Sequence, residues 1–285
     1  MQNILIIGSN GQLGSEISDA IVKFPDLAGF FYDLPQIDIT DASSVASKIK
    51  EHAIDLIINC AAYTAVDQAE ADIDAAYSVN RDGPAVLGRL CKQNDLKLIH
   101  ISTDYVFSGS ARVPYRETDA TDPIGIYGKS KLAGEQVIRK ISPSHLIIRT
   151  AWLYSTRGNN FVKTMLRLGL ENDTIRVVSD QMGSPTYARD LAWVILTIIN
   201  KDVAKIKDQT YHFTNEGVCS WYDFARAIMV IKNLQCQVQP IATKDYPTLA
   251  ARPQYSVLNS AKIKADWGLA IPYWRDSLTE CLAKL

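Results

Sequence analysis

The stretch that most constrains this chain lies near its start. Ile4-Leu5-Ile6-Ile7 is a short apolar run of strand type, and it leads directly into Gly8-Ser9-Asn10-Gly11-Gln12-Leu13-Gly14. Leu13, Ile17, Ile21 and Phe24 then recur at helical spacing. A strand that turns through glycines into a helix commits the chain to a βα unit. Glycine allows the tight turn and lets a phosphate approach the backbone without interference from a Cβ. The helix start offers unpaired N–H groups and a partial positive charge to a pyrophosphate. The spacing is GxxGxxG, and a plain strand–helix turn could use the same residues. Its position between strand and helix carries the argument more than the glycines do.

The alternation continues. Phe30-Phe31-Tyr32, Leu56-Ile57-Ile58, Leu98-Ile99-His100-Ile101 and Leu146-Ile147-Ile148 read as further strands. Val45, Ile49 and Ala53, then Val86, Leu87 and Leu90, then the stretch 132–141 mark the helices between them. Apolar strands alternating with helices predict a parallel sheet covered on both faces, with right-handed crossovers. The expected fold class is α/β: a doubly wound Rossmann-type parallel sheet with a smaller, partly interleaved C-terminal substrate lobe. Beyond Trp152 the pattern loosens. Helices are expected over 161–170, 190–199 and 221–231, short strands at 175–178 and 211–213, and a Pro-punctuated tail over 240–272. The expected division is a dinucleotide-binding domain over 1–200, with 153–186 contributing to the substrate side, and a substrate-binding lobe over 201–285.

With 285 residues, 47% of them hydrophobic, a sizeable core is available. The formal net charge of −1 supplies no broad positive field for nucleic acid or an anionic membrane. An anionic ligand must be held by local groups. The five cysteines (Cys60, Cys91, Cys219, Cys236, Cys281) and four histidines are dispersed, with no metal-ligand spacing, so reduced thiols and no metal are expected. The first apolar run follows no basic segment, so no signal peptide is expected. The stretch 191–199 is far shorter than the roughly 20 residues that span a bilayer. These readings predict a soluble, cytoplasmic protein.

Asp33 ends the second strand nineteen residues after Gly14, where an acid can accept hydrogen bonds from an adenosine ribose. It would repel a 2′-phosphate, which leans towards NADH over NADPH. Asp38-Ile39 competes for the place beside the adenine, and a solvated loop acid remains open for Asp33. The third strand ends in Asn59-Cys60-Ala61-Ala62-Tyr63, small residues that leave room for a flat cofactor or pack a helix on the sheet. Tyr127-Gly-Lys-Ser-Lys131 puts a phenol and an ammonium on one helical face. A free phenol titrates near pH 10, about three units too high for work at neutrality. A nearby cation favours the phenolate and lowers that value, giving a usable acid–base group. An exposed helix face would show the same spacing. Thr103, in Ile101-Ser102-Thr103-Asp104-Tyr105-Val106-Phe107, follows the fourth strand on the same sheet edge and can polarise a carbonyl. Ser102 competes for that role.

Together these features resemble the extended short-chain dehydrogenase/reductase superfamily. A finer resemblance is to the dTDP-4-dehydrorhamnose reductase family. It rests on 59–70, Ser102-Thr-Asp-Tyr-Val-Phe107, Tyr127-Gly-Lys-Ser-Lys-Leu-Ala-Gly-Glu135, Arg149-Thr-Ala-Trp-Leu-Tyr154, 158–166, Asp180-Gln-Met-Gly-Ser-Pro-Thr186 and Arg252-Pro-Gln-Tyr-Ser-Val-Leu258. It runs from residue 3 to about 280.

The resemblance implies reduction of the C4 ketone of dTDP-4-dehydro-β-L-rhamnose by NADPH or NADH, in the supply of dTDP-L-rhamnose for surface polysaccharide such as O-antigen. It implies Gly11, Gln12 and Leu13 at the cofactor phosphates, Asp33, Asp38 and Ile39 by the adenosine, and Ala62, Tyr63 and Thr64 along the cofactor. Tyr127 and Lys131 stand beside the nicotinamide ribose, and Thr103, Asp104 and Trp152 hold the sugar nucleotide. Trp152 could stack on the ligand or simply fill the core. Arg252 suits a diphosphate, and suits an interlobe ion pair equally. Asn160 and Lys163 could reach the ligand or lie on a helix surface.

Cys60 replaces the alanine usual in that strand end, and Asn259 stands where relatives commonly carry an acid. Some relatives dimerise around magnesium held by acids. Glu16 could contribute here, but Arg189 occupies the region of a partner acid, which argues against a metal-mediated dimer. A monomer or a homodimer remains open. Another reductase or an epimerase for a different 4-keto nucleotide sugar shares these motifs. Non-catalytic regulatory relatives often lack the Tyr–Lys pair that is present here.

Overall fold

The computed structural model describes residues 1–142 and 144–285. The first five strands are β1 (Gln2–Ile7), β2 (Leu27–Tyr32), β3 (Leu56–Asn59), β4 (Lys97–Thr103) and β5 (His145–Thr150). After them come β6 (Leu153–Tyr154), β7 (Thr174–Val178), β8 (Met182–Gly183), β9 (Thr186–Tyr187), β10 (Gln209–His212), β11 (Cys219–Ser220) and β12 (Gln237–Ile241). The helices are α1 (Gln12–Ile21), α2 (Ala42–Glu51), α3 (Val66–Ala69), α4 (Ile73–Tyr77), α5 (Gly83–Gln93) and α6 (Ile126–Ile141). They continue with α7 (Phe161–Glu171), α8 (Ala188–Asp202), α9 (Trp221–Ile231), α10 (Ala261–Trp267) and α11 (Trp274–Leu282).

The central sheet has six strands in the order β10-β5-β4-β3-β1-β2, every neighbouring pair parallel. Strand pleating sends alternate residues of β1 to opposite faces. Ile4 and Ile6 pack with Ile17 of α1 and Leu191, Ile195 and Ile198 of α8. Leu5 and Ile7 pack with Val45 and Ile49 of α2, Leu87 of α5 and Ile138 of α6. Both faces are therefore covered, as the unbroken apolar runs predict. The strand order reverses between β1 and β3, and a ligand binds such a sheet outside its carboxyl edge at that reversal.

The other ribbons pair β6 with β9, β7 with β12 and β8 with β11. They lie with a second core in which Tyr154, Val162, Met165, Phe224, Ile228, Trp274 and Leu278 are buried. The expected boundary at 200/201 does not follow the sheets. β10 pairs with β5, and Ile263 and Trp267 of α10 pack in the core of the central sheet. Among the described residues, no helix is long and apolar enough to cross a membrane.

Candidate active site

A cleft of about 740 Å³ opens along the carboxyl edge of β1, β3, β4 and β5. Of the expected residues it gathers Gly8, Gly11, Gln12, Leu13, Asp33, Asp38, Ile39, Ala61, Ala62, Tyr63, Thr64, Thr103, Asp104, Tyr127, Lys131 and Trp152. Asn10, Gly14, Asn160, Lys163 and Arg252 do not line it.

The glycine turn needs its glycines. Gly8 has φ +82°, and a Cβ there would lie 2.6 Å from the Ala61 nitrogen. A Cβ on Gly14 would lie 2.3 Å from the Gly8 carbonyl oxygen. Gly11 caps α1 without any side-chain bond, so the first N–H groups of the helix are open to a ligand. Asp33 braces this turn: its carboxylate accepts from the Asn10 and Leu34 N–H groups, both at 2.9 Å. Asp38 is exposed and turned to its own loop, accepting from the Thr40 N–H and hydroxyl at 2.8 and 2.7 Å. An uncapped helix start behind a Cβ-free cradle fits a dinucleotide pyrophosphate. Asp33 and Asp38 fit ribose hydroxyls beyond it.

At the other end of the cleft stand Thr103, which ends β4, Asp104, which follows it, and Tyr127 and Lys131 of α6. Two glycines seat this helix: a Cβ on Gly128 would lie 2.2 Å from the Tyr105 oxygen, and one on Gly134 would lie 2.1 Å from the Asn80 oxygen. The Tyr105 ring packs edge-on against Tyr127, centroids 5.4 Å apart. Ser102 and Thr103 are separated by their partners. The Ser102 hydroxyl donates to Glu135 at 2.6 Å, and Arg149 binds the same carboxylate through two bonds of 2.9 and 2.7 Å. Burial works to raise the Glu135 pKa, but Arg149 and Ser102 outweigh it and hold it low. Both residues line the cleft, but the Ser102 hydroxyl is committed to a buried ion pair. The Thr103 hydroxyl donates to Asp104 at 3.0 Å and accepts from the Tyr105 N–H at 3.2 Å.

The electrostatics differ from the expectation for the Tyr–Lys pair. Burial pushes the Tyr127 phenol up to about 12, with Thr103 opposing and Asp104 adding. Lys131 is not what sets it. The Lys131 amine is drawn back to β4, donating to the Ile101 carbonyl at 2.7 Å and lying 3.4 Å from His100 Nε2. Lys131 is only 2% exposed, and burial brings its own pKa down to about 8, against the pull of Glu135 and Cys60. Helical spacing places both groups on one face, but in a dry pocket the nearest acceptor claims the Lys131 amine. Asp104 is buried too. Burial raises its carboxyl to about 7, with the neighbouring Ser256 and Thr103 hydroxyls opposing.

Trp152 adopts φ +48° and stacks on Trp221, centroids 3.5 Å apart. Half-buried, it is packed and also lines the cleft. Asn160 caps α7, accepting from the Lys163 N–H at 3.1 Å, and its amide donates to the Gln12 side chain at 2.9 Å. Lys163 donates to the Gly158 carbonyl at 2.9 Å. Arg252 donates to Asp67 at 2.7 Å and so ties the C-terminal segment to α3. Glu16 is buried and accepts from Ser155 at 2.6 Å, and Arg189 pairs with Glu280. No group of three or more His, Cys, Asp or Glu side chains that could hold a metal is found among the described residues.

Several cleft residues lay outside the expected set: Val66, Val79, Tyr105, Thr150, Gly158 and Asn159. Tyr105 follows Thr103 and Asp104 directly and could have been found from its place after β4. Val79 lies in a single π-helical turn, Ser78–Asp82, which no apolar period announces.

The whole chain, residues 1–285, matches the family model described as the RmlD substrate binding domain. A dTDP-4-dehydrorhamnose reductase of Aggregatibacter actinomycetemcomitans is 42% identical over 98% of this chain and 97% of its own length. A crystal structure of a dTDP-4-dehydrorhamnose reductase from Clostridium acetobutylicum superimposes with a TM-score of 0.94 at 40% identity, covering 99% of both chains. Another, from Bacillus anthracis in complex with NADP, gives a TM-score of 0.92 at 39% identity over 100% of this chain and 99% of that one. By sequence and by structure, along its full length, the chain belongs to the dTDP-4-dehydrorhamnose reductase family.

Proposed function

We propose that this chain reduces the C4 ketone of dTDP-4-dehydro-β-L-rhamnose to dTDP-L-rhamnose, using NADPH or NADH, and that it does so in the cytoplasm in the supply of lipopolysaccharide O-antigen or a similar surface polysaccharide. The observation that carries the reading is the meeting of Thr103, Tyr127 and Lys131 at one end of a cleft whose other end is the glycine cradle. When bound, the reduced nicotinamide supplies the hydride that goes to C4. Negative charge then develops on the C4 oxygen. The Thr103 hydroxyl, once turned from Asp104, donates a hydrogen bond to that oxygen, and Tyr127 delivers the proton. A phenol raised to about 12 is protonated at neutral pH, the state a donor must start from. Lys131 holds the ribose beside it through the N–H that β4 leaves over. Trp152 and Asp104 flank the sugar, and Arg252 clamps the diphosphate once released from Asp67.

The test is direct. Purified protein is mixed with dTDP-4-dehydro-β-L-rhamnose and each reduced cofactor, and nicotinamide absorbance is followed. Stoichiometric loss is expected, which an epimerase would not give. No loss with either cofactor overturns the reading. Tyr127→Phe should keep cofactor binding and lose turnover by about 10²–10⁴-fold.

A further inference from the structure

Behind Lys131 lies a fully buried polar chain that the reaction above does not use. Asn59 and His100 are both 0% exposed and come from adjacent strands, β3 and β4. The Ala61 N–H donates to the Asn59 side-chain oxygen at 3.1 Å. That bond fixes which way the amide points, so the Asn59 NH2 faces His100 Nδ1 at 3.1 Å. An NH2 can only donate, so Nδ1 accepts, and the hydrogen of a neutral imidazole sits on Nε2. Nε2 faces the Lys131 amine at 3.4 Å.

We propose that His100, held in one tautomer by Asn59, is a positioning residue that fixes the Lys131 amine against β4 and lowers its affinity for a proton. The proposal rests on the role given to Lys131 above. A neutral amine satisfies the chain as it stands: one N–H to the Ile101 carbonyl, the lone pair to the His100 Nε2–H, and one N–H left for the cleft. An ammonium has no lone pair. To accommodate it, the imidazole must move its hydrogen to Nδ1 and Asn59 must turn its amide, which forfeits the bond from Ala61. Ala61 lines the cleft, so the charge on Lys131 is tied to the wall against which the cofactor lies.

Burial keeps His100 neutral and so keeps it available for this exchange of tautomers, with Lys131 and His145 acting on it in the same direction. The other groups facing Lys131 are Glu135, which favours the ammonium, and Cys60, whose thiol is itself pushed up to about 12 and so stays uncharged. Tyr127 shares its helix.

The experiment titrates Lys131 itself. Cofactor-free protein carrying 13C-labelled lysine is followed by NMR through neutral and alkaline pH, with the Lys131 signal assigned by its loss in Lys131→Arg. His100→Gln places an amide oxygen where Nε2 stood, an acceptor for an ammonium. The Lys131 pKa is expected to rise by about one unit, with the fold intact by circular dichroism. Asn59→Asp keeps the acceptor for Ala61 but demands a hydrogen on Nδ1. It should raise the Lys131 pKa in the presence of His100 by more than it does in the His100→Gln background. Should the Gln variant fold poorly, His100→Asn removes the Nε2 contact and gives the same reading. An unmoved Lys131 pKa in a folded His100 variant overturns the proposal. So does an Asn59→Asp shift of equal size with and without His100, which is the effect of a charge alone. The readout needs no substrate, so a failed reductase assay and a failed relay are separate results. Where turnover is present, the alkaline limb of kcat should move with the Lys131 pKa while the fold is unchanged.

Discussion

Asp104 is the residue whose environment asks most of the fold. It is 2% exposed, and one of its carboxylate oxygens has no hydrogen-bond partner among the described residues. Its folded pKa of about 7 lies above the value of about 3.9 for a free side chain. The native state therefore holds this proton more tightly than the unfolded chain does. The resulting stability is fully present below about pH 4 and is lost as pH rises through 7. At about 1.4 kcal/mol per pKa unit, the loss is of order 4 kcal/mol. Asp104→Asn should flatten that part of the profile. Thermal melts of the ligand-free protein across this range check it, and parallel slopes for the two proteins would show that Asp104 is not the group responsible. Sequence alone did not separate Ser102 from Thr103, because both hydroxyls lie at the end of the same strand. Their partners differ because Glu135, 33 residues further on and bound by Arg149, takes the Ser102 hydroxyl. Nor did sequence show that the Lys131 amine is bound to β4, since the acceptor is the backbone of Ile101, which no side-chain pattern reveals.

At the scale of elements, α6 decides the site, because it carries both Tyr127 and Lys131. It approaches the π-helical turn at Ser78–Asp82 so closely that a Cβ on Gly134 meets the Asn80 backbone oxygen. Backbone cannot step aside as a side chain can. Gly134→Ala should cost about 1–3 kcal/mol in denaturant unfolding and lower turnover by tilting Tyr127 away from Thr103. Gly88 in the neighbouring α5 is the control. A Cβ there meets Ile141 side-chain atoms at 3.7 Å and the Ser142 Cβ at 3.9 Å, ordinary contacts. Gly88→Ala should be neutral or stabilise by up to about 1 kcal/mol through helix propensity. A Gly134 variant as stable as the Gly88 variant would mean that α6 does not depend on this contact. The strands and longer helices were legible because buried strands are continuous apolar runs and surface helices repeat at 3.6 residues. The helical face expected of Tyr127 and Lys131 and the helix expected over 132–141 form one element that begins at Ile126, although its first turn shows no apolar repeat. Two-residue strands such as β6 and β9 are too short to carry any period.

The whole molecule is a central sheet and a second core, and the chain crosses between them more than once. β10, from the region expected to form the lobe, completes the central sheet beside β5, a pairing 63 residues apart in sequence that no local pattern encodes. Two polar contacts join distant segments near the cleft: Gln12 with Asn160, and Asp67 with Arg252. The second bears on substrate binding. Arg252 is 20% exposed and Asp67 is 43% exposed, so the pair is accessible to a competing anion. If Arg252 is the diphosphate clamp, Asp67 competes with the substrate for it, and the two single variants must act in opposite directions. Arg252→Gln removes a charge-assisted bond to phosphate worth about 1.5–3 kcal/mol, so KM for the sugar nucleotide should rise roughly tenfold or more. Asp67→Asn frees the guanidinium from an exposed pair worth about 0–1 kcal/mol, so KM should fall by up to about fivefold. Cofactor KM should not move in either case, because Arg252 lies apart from the glycine cradle. A purely structural bridge predicts something else: both variants melt earlier by a similar amount, and neither changes KM. Steady-state kinetics beside a thermal melt on the same two proteins separates the two roles.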